Sequence, residues 1–299
     1  MNLSLRYFLI SIIVFCSLTC KSQSDAGSVD IHGHRGCRGL MPENTIPAFL
    51  KALELGVRTL ELDVVMNGDG ELVVSHEPWI DDKICLTIDG QPVAGKKKTN
   101  IYTMSQHEIE RYDCGSLALE GFPAQKKLPV SKPLLSEVFT KVSEESNLRL
   151  NSITWNIEIK YRPSWEGVFC PDRKTYLKIF RKIIEDNGLE ENTILQCFDA
   201  ELLRIARQMN FSCELSYLIY NKKGIERNIK ELGFEPDYYS PYFKRLKISG
   251  LNYAQNHGIK VAVWTVNEID DLKEMLRLGV DAIITDYPNR LIDMRSRSE

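Results

Sequence analysis

Apolar positions along this chain follow two periods in turn. Short runs dense in β-branched and aromatic residues recur near residues 30, 60, 156, 195, 216, 238, 262 and 283. Between most of them lie longer stretches whose apolar residues fall three or four positions apart, the spacing of a helix with one buried face. The later pattern predicts strands at 153–160, 193–197, 213–220, 237–240, 260–265 and 281–285. It predicts helices at 134–146, 172–187, 199–209, 224–231, 247–257, 268–277 and 288–295. The first of these carries a core-facing stripe at Leu134, Leu135, Val138, Phe139 and Val142. Upstream, a helix is expected from an Asn44 cap through about Leu55, with Gly56 ending it. Strand–helix alternation builds a parallel sheet with helical crossovers. Eight such units within residues 29–295 fit an α/β fold of the closed TIM (β/α)8 type. A doubly wound open sheet is the competing arrangement; the lack of a G-x-G-x-x-G turn after the first strand counts against it.

The alternation breaks once. Asn67-Gly-Asp-Gly70 reads as a hairpin turn, and the strand after it, 71–75, must return antiparallel. Four turn residues leave no room for a crossover helix. Residues 77–133 are rich in Pro, Gly, Lys and Asp and show little periodicity. Loops this long usually carry function or small structure of their own. The run Lys96-Lys-Lys98 within this stretch reads as a solvated patch.

The first twenty residues differ from the rest. Arg6 precedes an apolar run from Tyr7 to Leu18, and small or polar residues follow, the pattern of a signal peptide over residues 1–20. The run is too short for a permanent span, which takes about 20 residues. Leu18-Thr19-Cys20 resembles a lipoprotein cleavage box, with Thr19 where Gly, Ala or Ser is usual. Lipidation at Cys20 is the expectation, with plain secretion or an uncleaved anchor as alternatives. The polar residues 21–28 would then be a flexible tether. The chain is thus expected to be exported: in the periplasm or outer membrane, held by a lipid anchor, or otherwise secreted. An oxidising compartment permits disulfides. Cys85 and Cys114, in one loop-rich region, are the expected pair, and Cys197 and Cys213 fall in apolar strand-like runs that suit a core. The cysteine spacings do not match a zinc cluster.

Composition narrows the partners. A hydrophobic content of 43% with 26% charged residues is ordinary for a globular domain. A net charge of −3 gives no support to nucleic-acid binding. A small-molecule substrate is expected, and the sequence leaves the oligomeric state open.

The chemistry begins in segment 59–66, TLELDVVM, where Glu61 and Asp63 share one strand face. Side by side among apolar residues, two carboxylates repel each other and lose hydration. A divalent cation relieves this; so does a solvated strand end or a pairing with Arg or Lys. In a TIM barrel, active residues lie at the C-terminal ends of the strands. His34 and Arg35 end the first strand, Glu158 and Lys160 the third, and Gln196 the fourth; Trp264 and Asn267 follow the seventh. Counting back from the hairpin turn puts His76 opposite about Glu61. Glu61, Asp63 and Glu158 with waters make a hard oxygen site for one divalent cation, Ca²⁺ first and Mg²⁺ second. Arg35 and Lys160 suit an anion. Two histidines can share acid and base roles near neutral pH. Together these groups point to phosphoryl transfer at a phosphodiester. A Glu158–Lys160 ion pair, and Arg35 neutralising Glu61 or Asp63, would explain the same residues without metal.

The motifs His34-Arg-Gly36, Pro42-Glu-Asn-Thr45, Glu61-Leu-Asp-Val64, Val73-Val-Ser-His76, Glu158-Ile-Lys160, Trp264-Thr-Val-Asn267 and Asp281-Ala-Ile-Ile-Thr-Asp-Tyr-Pro288 run in order from about 30 to 290. The ordered set resembles the glycerophosphodiester phosphodiesterase family. The resemblance implies a phosphatidylinositol-phospholipase-like TIM barrel that hydrolyses glycerophosphodiesters to an alcohol and sn-glycerol 3-phosphate. It implies His34 and His76 as general base and acid, and Glu61, Asp63 and Glu158 as metal ligands. It implies Arg35, Lys160 and Gln196 as contacts to phosphate or glycerol; Trp264 is added to the substrate site. One departure is His76-Glu-Pro78, where family members often carry His-Asp. Residues 77–133 resemble the inserted loop-rich subdomain of some members, which implies an insertion over the active site. A related lipid phosphodiesterase, or a phospholipase-D-like lyase acting on intact lipids, is the alternative enzyme. A non-catalytic surface binding protein on the same barrel is the third reading.

Overall fold

The computed structural model describes residues 29–95 and 99–296. The expected signal peptide, tether, Cys20 and the Lys96–Lys98 run lie outside the described residues. In chain order the strands are β1 (Asp30–Gly33), β2 (Thr59–Met66), β3 (Leu72–Val74), β4 (Leu86–Thr87), β5 (Tyr112–Asp113), β6 (Thr154–Ile159), β7 (Thr193–Cys197), β8 (Glu214–Ile219), β9 (Tyr238–Pro241), β10 (Lys260–Val263) and β11 (Ala282–Thr285). The helices are α1 (Ile46–Glu54), α2 (Gln106–Ile109), α3 (Leu135–Glu145), α4 (Arg173–Asp186), α5 (Ala200–Gln208), α6 (Ile225–Leu232), α7 (Ile248–Asn256), α8 (Ile269–Leu278) and α9 (Pro288–Ser296).

Eight strands pair in parallel around a closed ring, in the order β1, β2, β6, β7, β8, β9, β10, β11, with β11 returning to β1. This is the TIM (β/α)8 barrel, with a helical layer outside. Every residue of β2 is buried, because Leu60, Leu62 and Val64 pack in the main core while the residues between them turn inward. Helices α3 and α4 close that core with Val138, Phe139, Leu177 and Phe180.

Two local readings change and a third is sharpened. Thr45, not Asn44, caps α1: its backbone is extended and its side chain accepts from the Ala48 N–H. Asn44 sits in the left-handed region at φ 56° and sends its amide elsewhere. Leu134 stands outside α3, in an isolated bridge with Val73, and packs on the insertion rather than the main core. The β2–β3 hairpin pairs Val64 with Val74, and the Ser75 N–H donates to the Asp63 carbonyl at 3.0 Å. That register sets His76 level with Leu62, one residue from the expected Glu61. The chain leaves the ladder at this point.

The insertion has more structure than its composition shows. β4 and β5 pair antiparallel, and Cys85 and Cys114 are joined by the expected disulfide. Ile80, Val93, Ile101 and Ile109 build a small core around that bridge and against Val65 and Val73. A barrel strand and its hairpin partner therefore anchor the whole insertion. The remaining described cysteines, Cys37, Cys170, Cys197 and Cys213, are free and buried.

Candidate active site

Strand register alone aligns the inward polar residues. Asp63 is level with Glu158, and Glu158 with Gln196. They meet in a cleft of about 210 Å³ whose lining includes His34, Arg35, Glu61, His76, Glu158, Lys160, Gln196 and Trp264. Nine side chains were expected here. The cleft lining holds all of them except Asp63, which lies 1% exposed beneath it.

The turn after β1 is tight. A Cβ on Gly36, at φ 85°, would lie 2.7 Å from the Ala48 backbone, so only glycine lets the turn pack against α1. Arg35 takes φ 50°, an uncommon value for a side-chain-bearing residue. The conformation aims its backbone N–H at Glu61 Oε2, 2.8 Å away. Its guanidinium donates to Glu43 Oε1 at 2.7 Å, with Nε 3.3 Å from Asp63 Oδ2. Arg38 Nε lies 2.6 Å from the other Glu43 oxygen.

Glu61, Asp63 and Glu158 each offer an oxygen, and the three atoms lie within 4.8 Å of one another. Gln196 Nε2 donates to Glu61 at 2.8 Å, and Asn44 Nδ2 to Asp63 at 2.9 Å. Lys160 Nζ is 2.8 Å from Glu158 and 3.5 Å from Asp63. Both pairings that could have accounted for these residues without metal are therefore present. Among the described residues they still leave Glu61 with no lysine or arginine side chain within 4.0 Å; its partners are the Arg35 N–H, Gln196 and His34. Burial, and then the Asp63 charge, push the Glu61 carboxyl well above its ordinary range. Burial pushes Glu158 up to about 7, against the pull of Lys160. Burial also acts on Asp63, but Lys160 and Arg35 outweigh it and hold that group low. A buried set of carboxylate oxygens that tends to gather protons fits a divalent cation.

Each histidine is backed by a carboxylate. His34 Nδ1 lies 2.6 Å from Asp286 Oδ1, and its Nε2 lies 3.9 Å from Glu61 Oε2. Asn267 fixes Asp286 twice, donating from Nδ2 at 2.6 Å and accepting the Asp286 N–H at 3.0 Å. Burial raises the Asp286 pKa, but His34, Arg38 and Asn267 overcome it and hold the value at about 2. His76 Nδ1 lies 2.9 Å from Glu77 Oε1, so the departure at that position still supplies a carboxylate. Burial and Arg35 lower the His76 pKa, with Asp63 opposing. Both rings keep Nε2 free of these partners.

On the other side, the Trp264 Nε1–H donates to the Ser240 carbonyl at 2.8 Å. Its ring meets Phe198 edge-on, with Tyr220 and Tyr242 nearby. Phe198 and Tyr220 remain 42% and 57% exposed, forming an aromatic rim.

Sequence reading missed Asp286, Glu43 and Asn44 as site residues. Asp286 follows the eighth strand directly, so the strand-end rule that located His34 also reaches it. Glu43 and Asn44 lie in a loop, and Asn44 resembled a helix cap.

The family model for the Glycerophosphoryl diester phosphodiesterase family matches residues 34–290. A glycerophosphodiester phosphodiesterase from Caldanaerobacter subterraneus subsp. tengcongensis is 30% identical over 87% of this chain and 95% of its own. A crystal structure from Silicibacter pomeroyi, named for the same enzyme family, is 29% identical and superposes with a TM-score of 0.79 over 90% of this chain and 95% of that one. An Oleispira antarctica phosphodiesterase, in complex with the product sn-glycerol-3-phosphate, shares the fold at 18% identity, with a TM-score of 0.70 over 89% of this chain and 96% of that one.

Proposed function

The chain belongs to the glycerophosphoryl diester phosphodiesterase family, and from that premise we propose that it cleaves glycerophosphodiesters to an alcohol and sn-glycerol 3-phosphate with His34 as general base, His76 as general acid and one divalent cation held by Glu61, Asp63 and Glu158. The observation that carries this reading is the pair of carboxylate-backed histidines lining one cleft with two of those three buried acids.

When bound, the cation supplies Lewis acidity and offsets charge that builds on the phosphoryl oxygens. The all-carboxylate donor set suits Ca²⁺, which takes oxygen ligands in flexible geometry, with Mg²⁺ as the second candidate. His34 donates its Nδ1–H to Asp286, which leaves Nε2 as the basic nitrogen. That nitrogen takes the proton of the substrate's free glycerol hydroxyl as its oxygen attacks phosphorus. The bond to the leaving alcohol breaks, and His76 gives that oxygen a proton from Nε2. Water then opens the cyclic phosphate with the two roles exchanged. Direct attack by water on the diester would use the same two histidines. Lys160, Arg35 and Gln196 are proposed to orient phosphate and glycerol, and Trp264 to form the wall of the glycerol side.

Residues 1–20 and 21–28 are proposed as a lipoprotein signal and a tether, and 29–295 as the exported catalytic domain. The Cys85–Cys114 disulfide supports an oxidising compartment. A second reading, action on intact lipids, draws on the exposed Phe198 and Tyr220 rim. One experiment addresses both readings. The protein is freed of metal with EDTA and assayed on a panel of glycerophosphodiesters and a micellar lysolipid, with Ca²⁺, Mg²⁺ or Mn²⁺ restored in turn. Release of sn-glycerol 3-phosphate that depends on one added ion is expected. A lysolipid turned over faster than the soluble diesters would favour the second reading, and no hydrolysis with any ion would exclude both.

Asp286 is a positioning residue on this reading. Asp286→Asn is expected to lower kcat by about 10²- to 10⁴-fold, because an amide can fix the wrong His34 tautomer. KM and cation affinity should stay near wild type in steady-state kinetics and calorimetry. An unchanged kcat would remove the dyad from the mechanism.

A further inference from the structure

A second cavity, of about 290 Å³, lies between the barrel mouth and the insertion. It shares Arg35, Arg38 and His76 with the catalytic cleft and so continues it. Asp81, Lys83, Leu119 and Lys132 of the insertion line its other side, with the carboxylates of Glu43 and Glu77 beside them.

Lys132 is the unusual member. It is 4% exposed. Its carbonyl accepts from Gln106 Nε2 at 3.1 Å, and the next carbonyl, of Pro133, accepts from the Val74 N–H at 2.8 Å. Its backbone is therefore pinned against the hairpin strand that ends just before His76. Yet among the described residues its amine has no carboxylate within 4.0 Å and no hydrogen bond. Burial lowers its pKa, while Glu43 and Asp81 oppose that only through space. An amine that lines a cavity with no fixed partner is free to donate its N–H groups to a ligand that brings acceptor oxygens.

His76 forms the wall between the two spaces. On the catalytic roles proposed above, the leaving alcohol's oxygen sits at His76, at the boundary of the second cavity. We propose that this cavity receives the leaving alcohol, and that Lys132 selects alcohols bearing further hydroxyls, the polyols, over choline-type head groups. The proposal rests on the phosphodiesterase reading above. An amine donates N–H groups to hydroxyl oxygens, while a quaternary ammonium offers no acceptor and, beside an ammonium, is repelled. The three lining carboxylates do not reverse this. Glu43 is taken by two arginines and Glu77 by His76. Asp81, held by the Lys83 N–H at 3.2 Å, remains to accept a hydroxyl proton from the same polyol.

The test compares kcat/KM for glycerophosphoglycerol, glycerophosphoinositol and glycerophosphocholine at saturating cation. The wild type is expected to prefer the two polyol substrates. In Lys132→Met the ratio of polyol to choline efficiency should fall by about 10- to 100-fold, the scale of a hydrogen bond from a charged group. Methionine fills similar space and removes the unpaired polar group, and a thermal melt checks that the variant is folded. Lys132→Gln keeps a donor and should retain part of the ratio. Wild-type preference for glycerophosphocholine, or an equal fall on all three substrates, would overturn the proposal. Failure of the wild type on all three would instead sink the phosphodiesterase reading, and this proposal with it.

Discussion

Asp63→Asn is expected to abolish cation binding and catalysis together, lowering activity by about 10³-fold or more, while the barrel stays folded. Asp63 is 1% exposed, and its carboxylate is the one of the three that its neighbours hold firmly ionised. An amide in its place removes the negative charge that a hard cation needs. The fold survives because neither neighbouring cation loses its last partner. Lys160 keeps Glu158 at 2.8 Å, and Arg35 keeps Glu43 at 2.7 Å. Alanine at the same position would add a cavity beside Asn44, so asparagine is the cleaner probe. Calorimetric titration with Ca²⁺, kinetics and a thermal melt give the three readouts. Wild-type cation affinity in the variant would remove Asp63 from the ligand set.

His34→Ala separates the two halves of the site. Activity should fall by about 10²- to 10⁴-fold, the usual worth of a general base. Cation binding should persist, since the proposed ligands are Glu61, Asp63 and Glu158. The variant should also resist acid less well. In the native protein, His34 helps hold the Asp286 pKa at about 2, below the ordinary 3.8. A depressed carboxylate stabilises the fold above its unfolded pKa, and that contribution disappears as pH falls through the folded value. Without His34 the Asp286 pKa rises, so the acid transition should move to higher pH. Circular dichroism against pH measures it. An unmoved transition would mean that the dyad contributes nothing to stability, and retained activity would remove His34 as the base.

The barrel was legible because each strand carries a β-branched run and the helices that follow carry a buried stripe, both local properties. All eight strands fall where those runs lie. The site was largely legible for a related reason. Parallel register brings strand ends level, so Glu61, Asp63, Glu158 and Gln196 could be grouped before any contact was known. The hairpin was placed correctly and His76 to within one residue, because turn residues do not state which pair closes the ladder. Asn44 illustrates a different limit. Its residue type suits a cap, and only the left-handed backbone beside Thr45 frees its amide for Asp63.

By itself, the sequence determined the order of elements, the closed barrel they imply, the end of the barrel that carries chemistry and the residue types gathered there. Period and strand-end position are written locally, so they survive without coordinates. Tertiary structure decided which group faces which. It gave His34 to Asp286 across 252 positions of chain. It turned Arg35 toward Glu43 and Asp63. It also folded the insertion so that Lys132 reaches a cavity beside His76. Those pairings depend on side-chain direction and on loops with no period of their own, and packing alone fixes them.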